Sequence, residues 1–260
     1  MVHRDAYVCL SVSGTLRGQD QQPDRLDSGS SDPLILLKQA VSNQLNKAVE
    51  DNLTQVQKTG LLRAYEKQLK MAGKTDASAE YWNGLTELAE MYWQQRELDE
   101  AIRIYTEIIA AKPNEIVEAN AYLMQGWIEY GNRGNPSKSI PFLEKAVEIA
   151  KSAPKDNFSR NELAARAIST LGDVYNITGE EEKAAAQFEY LLANTEIGEA
   201  AEPVAMVNAN VELARIFLQQ GKLKEAGEQY ASLEQRLKSS DLPANLKINL
   251  SLEAWRGQSG

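Results

Sequence analysis

One cysteine, Cys9, and one histidine, His3, are all this 260-residue sequence offers of two residue types central to metal binding and nucleophilic catalysis. A lone cysteine excludes an internal disulfide and any cysteine-based zinc site. With His3 alone, no Ser/His/Asp or Cys/His arrangement can form from ordered residues. The sequence therefore predicts no enzyme, no metal and no cofactor. Aromatic residues are scarce too, at 7%. No apolar run approaches the ~20 residues needed to span a bilayer. Near the N-terminus, Tyr7-Val8-Cys9-Leu10 follows Arg4, but Asp5, Ser11, Ser13 and Gly14 interrupt it too soon for a secretory segment. The expectation is a soluble cytoplasmic chain.

Charge narrows the partners. The net charge is −9 and the pI about 4.9. A fixed negative field repels phosphate backbones, which argues against nucleic acid. The carboxylates do not gather as ligands or as an acid/base pair. Asp99-Glu100 and Glu180-Glu181-Glu182 fall in turns or first helical turns, where they favour the helix dipole, and adjacent helical residues do not converge on one point.

What the chain does have is helical periodicity. Residues 1–31 are rich in Gly, Ser, Gln and Asp and read as a flexible tail. Asp32-Pro33 opens a stripe through Leu34, Leu37, Val41, Leu45, Val49, Leu53 and Val56. Gly60 is a candidate break, after which Leu61, Leu62, Tyr65, Leu69 and Met71 carry the pattern to Gly73. Residues 32–73 thus read as an N-terminal helical hairpin. Gly73-Lys74-Thr75 resembles the tail of a phosphate-binding loop, but Gln68 stands where that loop needs a glycine.

Four hairpins follow over residues 80–241. The first pairs Tyr81–Gln95 with Leu98–Ala111. The second begins near Asn114, turns at Gly131 to Gly134 and restarts at Asn135-Pro136. The third opens on Ser159-Arg160-Asn161-Glu162, which has the form of a capping box, and turns at Thr178-Gly179. The fourth runs from about Pro203 through a turn at Gln220-Gly221 to near Lys238. Residues 242–260, with Leu246, Ile248, Leu250, Leu252 and Trp255, read as a capping helix for the stack's exposed end.

Close helix packing needs small side chains at the crossing. The chain pairs Ala89 with Ala101, Gly126 with Ser139, Gly172 with Ala184 and Ala214 with Ala226. Tyr92, Tyr105, Tyr175, Phe188, Phe217 and Tyr230 recur around them. On these residues the chain resembles the tetratricopeptide repeat family over roughly Tyr81 to Lys238. Its spacings of 38, 45 and 42 residues between successive second-helix small residues exceed the family's usual ~34, as in its long-helix branch. The second unit's turn is one residue longer than the others.

The resemblance implies an all-α, right-handed superhelical solenoid of antiparallel helical hairpins, and a protein–protein interaction scaffold or adaptor. Its concave groove would hold a protein partner or extended peptide. Carried over by position, that groove comprises Asn83, Glu87, Glu90 and Trp93; Asn120, Met124 and Trp127; Arg166, Thr170, Asp173 and Asn176; and Asn208, Glu212 and Arg215. In the second unit Leu123 and Tyr130 stand as alternatives one residue away. Asn83, Asn120 and Asn208 share one repeat position and are read either as backbone-gripping amides or as solvated polar residues. Trp93, Met124 and Trp127 are read either as an apolar anchor pocket or as core. The family's clamp for chaperone C-termini is not matched, since its positions carry Thr86, Glu90, Met124, Arg166 and Thr170. Two other roles stay open: a self-associating structural subunit, and a peptide or small-ligand sensor.

Overall fold

A computed structural model of the chain describes residues 54–73, 78–152, 158–201 and 203–239, with scattered helical positions between 36 and 47. The expected tail at 1–31 and capping segment at 242–260 lie outside these residues, as do His3, Cys9, Lys74 and Thr75. Among the described residues the regular structure is all helical, and no strand occurs. The all-α hairpin repeat expected from the sequence is what they form. The chain divides into two units, Met1–Pro113 and Asn114–Gly260.

In the first unit, α1 (Gln55–Gly73), α2 (Ala79–Gln94) and α3 (Leu98–Ala111) pack in succession. Helix α1 starts on a reciprocal cap. The backbone N–H of Thr54 donates to Gln57 Oε1 at 2.9 Å, and that of Gln57 to Thr54 Oγ1 at 3.4 Å. Gly60 lies within this helix and does not end it. Leu62, Tyr65 and Leu69 turn inward, whereas Val56 and Met71, expected on the apolar stripe, face solvent. Leu85, Leu88, Ala89 and Tyr92 of α2 meet Ala101, Ile104, Tyr105 and Ile108 of α3 in a closed core.

Side chains also tie α1 to α3. Arg103 Nη2 lies 2.8 Å from Glu66 Oε1, Lys70 Nζ lies 2.8 Å from Glu107 Oε2, and the Thr59 hydroxyl donates to Glu97 at 2.8 Å. Partly exposed ion pairs contribute only about 0–1 kcal/mol each, so apolar burial holds the unit and the pairs fix its register.

The second unit begins with α4 (Glu115–Trp127), capped by Asn114, whose side chain accepts from the Val117 N–H at 3.0 Å. A π-helical turn, Ile128–Asn132, follows. Next come α5 (Pro136–Ser152), α6 (Phe158–Thr178), α7 (Glu181–Ala193), a short α8 (Thr195–Ala200), α9 (Pro203–Gln219) and α10 (Leu223–Ser239). One continuous apolar core runs from Leu123 and Leu143 through Ile168 and Phe188 to Leu213 and Ile216.

The crossings depend on missing side chains. A Cβ on Gly126 would sit 2.6 Å from Leu143 Cδ2, and one on Gly172 would sit 2.6 Å from Phe188 Cε1. Neither position has room for even a methyl group unless its neighbour moves. The expected capping box at Ser159 is not the start of α6, because Ser159 already lies inside the helix. The buried Arg160 dominates there instead. Its Nε donates to the Ala150 carbonyl at 2.7 Å and its Nη2 to that of Lys151 at 3.0 Å, satisfying the C-terminal end of α5.

Three hairpin turns share one backbone design. The N–H groups of Glu97, Glu180 and Lys222 donate to the carbonyls of Tyr92, Tyr175 and Phe217, five residues back, at 2.8–2.9 Å. The residue before each donor is left-handed in two of them through glycine, Gly179 at φ 82° and Gly221 one step earlier in sequence than Lys222 at φ 72°, and in the first, unusually, through Arg96 at φ 65°. The remaining hairpin differs. The Asn135 N–H reaches the carbonyl of Glu129, six residues back, at 2.8 Å. Its one additional residue is absorbed by the π-helical turn.

Candidate functional site: a polar and aromatic face on the second unit

Helical spacing brings Arg166, Thr170 and Asp173 onto one face of α6, since residues 3–4 apart are neighbours. The Thr170 hydroxyl donates to the Arg166 carbonyl at 2.8 Å and accepts from Trp127 Nε1, at the end of α4, at 2.9 Å. The Arg166 guanidinium lies over the Trp127 ring, 4.7 Å from its centroid. On the other side, Asn176 Nδ2 donates to Glu212 Oε2 of α9 at 2.8 Å. Glu212 also holds Arg215 Nη1 at 2.7 Å. Three helices thus contribute to one continuous surface, and its side chains are linked across both helix boundaries.

Asp173 is the exception within this surface. It is half-buried and makes no hydrogen bond or ion pair among the described residues. Burial, and secondarily the charge of Glu212, push its carboxyl up to about 7. Tyr130, in the π-helical turn, is raised above the ordinary phenol range by its own burial and then by Asp173 and Glu212. Two carboxyls and a phenol from three elements therefore sense one another.

Placement of the expected groove residues is uneven. Trp127, Arg166, Thr170, Asp173, Asn176, Glu212 and Arg215 gather on this face, and all are partly accessible. Asn208 is exposed on α9. Asn120 and Met124 are buried within α4, as is Leu123, so they present little to a ligand. Asn83 is exposed in the first unit, where Glu87, Glu90 and Trp93 are half-buried. There, burial and then the charge of Glu87 push the Tyr65 hydroxyl up to about 12. Tyr130, an alternative in the sequence, is partly accessible and feels the charges of Asp173 and Glu212. Among the described residues no three histidine, cysteine or acidic side chains converge as metal ligands would.

Against known proteins, residues 85–115 match the tetratricopeptide repeat family. Nearly identical tetratricopeptide-like repeats from Podosopora anserina superpose with a TM-score of 0.52 at 18% identity, over 82% of this chain and 100% of that one. At that identity the likeness speaks to fold alone. PilW, a type IV pilus biogenesis factor, aligns with a TM-score of 0.49 and 17% identity over 88% of this chain and 92% of its own. A thermophilic tetratricopeptide protein of Thermus thermophilus gives 0.40 and 20% over 85% of this chain and 100% of its own. No curated protein matches the sequence. The tetratricopeptide fold supports a protein-interaction scaffold in general and implies protein partners. Among the described residues no helix is long and apolar enough to cross a membrane.

Proposed function

We propose that the chain is a non-catalytic scaffold or adaptor that holds an extended segment of a protein partner against the α4–α6–α9 face of its second unit. The observation that supports this is the gathering of Trp127, Arg166, Thr170, Asn176, Glu212 and Arg215, linked in two groups by hydrogen bonds yet left partly open. A tryptophan fixed at its polar edge and stacked by a guanidinium is a preorganised contact, and preorganisation lowers the entropic cost of binding. Side-chain amides and hydroxyls beside it can pair with a backbone laid along the face.

The test uses the full chain to select from a displayed library of random peptides. Wild-type protein should enrich peptides whose binding slows amide exchange in α4, α6 and α9. A double variant, Arg166→Glu with Arg215→Glu, should lose them while keeping its helical circular dichroism. Failure to enrich any peptide, or protection that maps elsewhere, would overturn the reading.

A further inference from the structure

Two of the aromatic residues at the hairpin crossings also use their hydroxyls. The Tyr92 hydroxyl of α2 donates to Glu66 Oε2 of α1 at 3.3 Å, and the Tyr175 hydroxyl of α6 donates to Glu144 Oε1 of α5. Each bond ties the first helix of a hairpin to the helix before it. The two glutamates occupy matching places. Glu66 follows the buried Tyr65, and Glu144 follows the buried Leu143 that closes over Gly126.

The joint between α7 and α9 has only half of this pair. The exposed Glu189 follows Phe188, which closes over Gly172 as Leu143 does over Gly126. At the place of Tyr175, three residues beyond the small residue of the crossing, stands Phe217. Its backbone and ring are set as those of Tyr175 are. The Phe217 carbonyl accepts the Lys222 N–H as the Tyr175 carbonyl accepts that of Glu180. A lysine ammonium lies over each ring, Lys222 Nζ 5.5 Å from the Phe217 centroid and Lys183 Nζ 5.0 Å from that of Tyr175. Phenylalanine, however, has no hydroxyl to give. Met206, Leu213, Ile216 and Phe217 join α9 to the main core by apolar contact, which is non-directional.

The last hairpin also has a core of its own. Val207, Val211 and Ala214 of α9 pack with Tyr230, Leu233 and Leu237 of α10 in a separate cluster. Within the same hairpin, the buried Asn210 Nδ2 donates to Gln229 Oε1 at 2.8 Å. A pair of helices held together in this way can part from its neighbours without coming apart itself.

We propose that α9 and α10 open and close as one body against α6 and α7, and that this motion gates the candidate face. Opening breaks the Asn176–Glu212 hydrogen bond and carries Glu212 and Arg215 away from Arg166 and Trp127. A segment laid across α6 and α9 binds the closed state and suppresses the opening by mass action. The opening is independent of what the face binds, whereas its role as a gate rests on the function proposed above.

Native-state amide exchange of the full chain, followed through a series of low urea concentrations, tests the opening. Amides of α9 and α10 should exchange through one shared event with a common urea dependence, well before those of α5, α6 and α7. Phe217→Tyr supplies the missing hydroxyl and should slow that event about fivefold, and adding Glu189→Ala should erase the gain. Protection in α9 and α10 equal to that of α6, or graded residue by residue without a shared event, would overturn the inference. Slowing that survives Glu189→Ala would do so too. Peptides selected onto the α4–α6–α9 face should slow exchange throughout α10, which contributes no residue to that face. Peptide protection that stops at α9 would remove the gating role. Enrichment of no peptide would overturn the proposed function and leave the opening standing.

Discussion

The indole N–H of Trp127 donates to the hydroxyl of Thr170 at 2.9 Å, and this contact fixes the end of α4 to the middle of α6. The hydroxyl itself donates to the Arg166 carbonyl, so its donor and acceptor roles are both used. Thr170→Val keeps the shape and removes both bonds, leaving the indole N–H without its acceptor. Stability should fall by about 1 kcal/mol. Trp127→Phe should cost little more on top of Thr170→Val, a non-additivity that a double-mutant cycle in urea would measure. Additive losses would show that the two residues act independently.

Asp173 predicts an acid-favoured fold. The folded protein keeps the Asp173 proton up to about 7, whereas the unfolded carboxyl releases it near 3.8. Between those values the folded state binds more protons, so stability should fall as the pH rises and level off above 7. The loss should be roughly 1–3 kcal/mol, allowing for solvent screening of a partly accessible group. Asp173→Asn should flatten that slope, which urea melts at a series of pH values would reveal. An unchanged slope in the variant would assign the effect to another group.

Gly172→Ala should destabilise by about 1–3 kcal/mol even though alanine is the better helix former. The added methyl would lie 2.6 Å from the Phe188 ring, which is itself fully enclosed in the core. Gly131→Ala is the control, since nothing lies within 4 Å of its would-be Cβ. Thermal melts of the two variants should separate clearly. Equal melting temperatures would mean that the crossing has slack.

Arg96 occupies a left-handed turn position, at φ 65°, that glycine fills in two sister hairpins. Arg96→Gly should stabilise the first unit by up to about 1 kcal/mol, and Gly179→Ala should cost about as much. Chemical denaturation of both variants tests the pair. Opposite signs are expected.

Much of this was legible in the sequence because its signals were local. Asn114, Pro136, Gly179 and Gly221 mark helix ends through their own backbone preferences, and the observed ends follow them. The small-residue positions were legible as well, because the 12-residue offset from Ala89 to Ala101 returns from Gly172 to Ala184 and from Ala214 to Ala226. Ser159 misled because Arg160 serves the helix before it, a tertiary role that spacing does not encode. Gly60 looked like a break but sits on an open helix surface. On the candidate face, repeat position located Arg166, Thr170, Asp173, Glu212 and Arg215. It treated Asn120 as equivalent to Asn83 and Asn208, yet Asn120 is buried and the other two are exposed. The raised carboxyl of Asp173 could not be read at all, since it depends on burial and on Glu212 from another helix.

Adding a residue to an α-helix rotates everything beyond it by about 100°. Between α4 and α5 that phase error never spreads, because five residues widen their coil and take it up. Leu143 consequently still returns beneath Gly126 as though the count were regular. The surplus is taken up where Tyr130 stands, so a length change that could have scrambled the packing instead moves one aromatic ring while the scaffold around it keeps time.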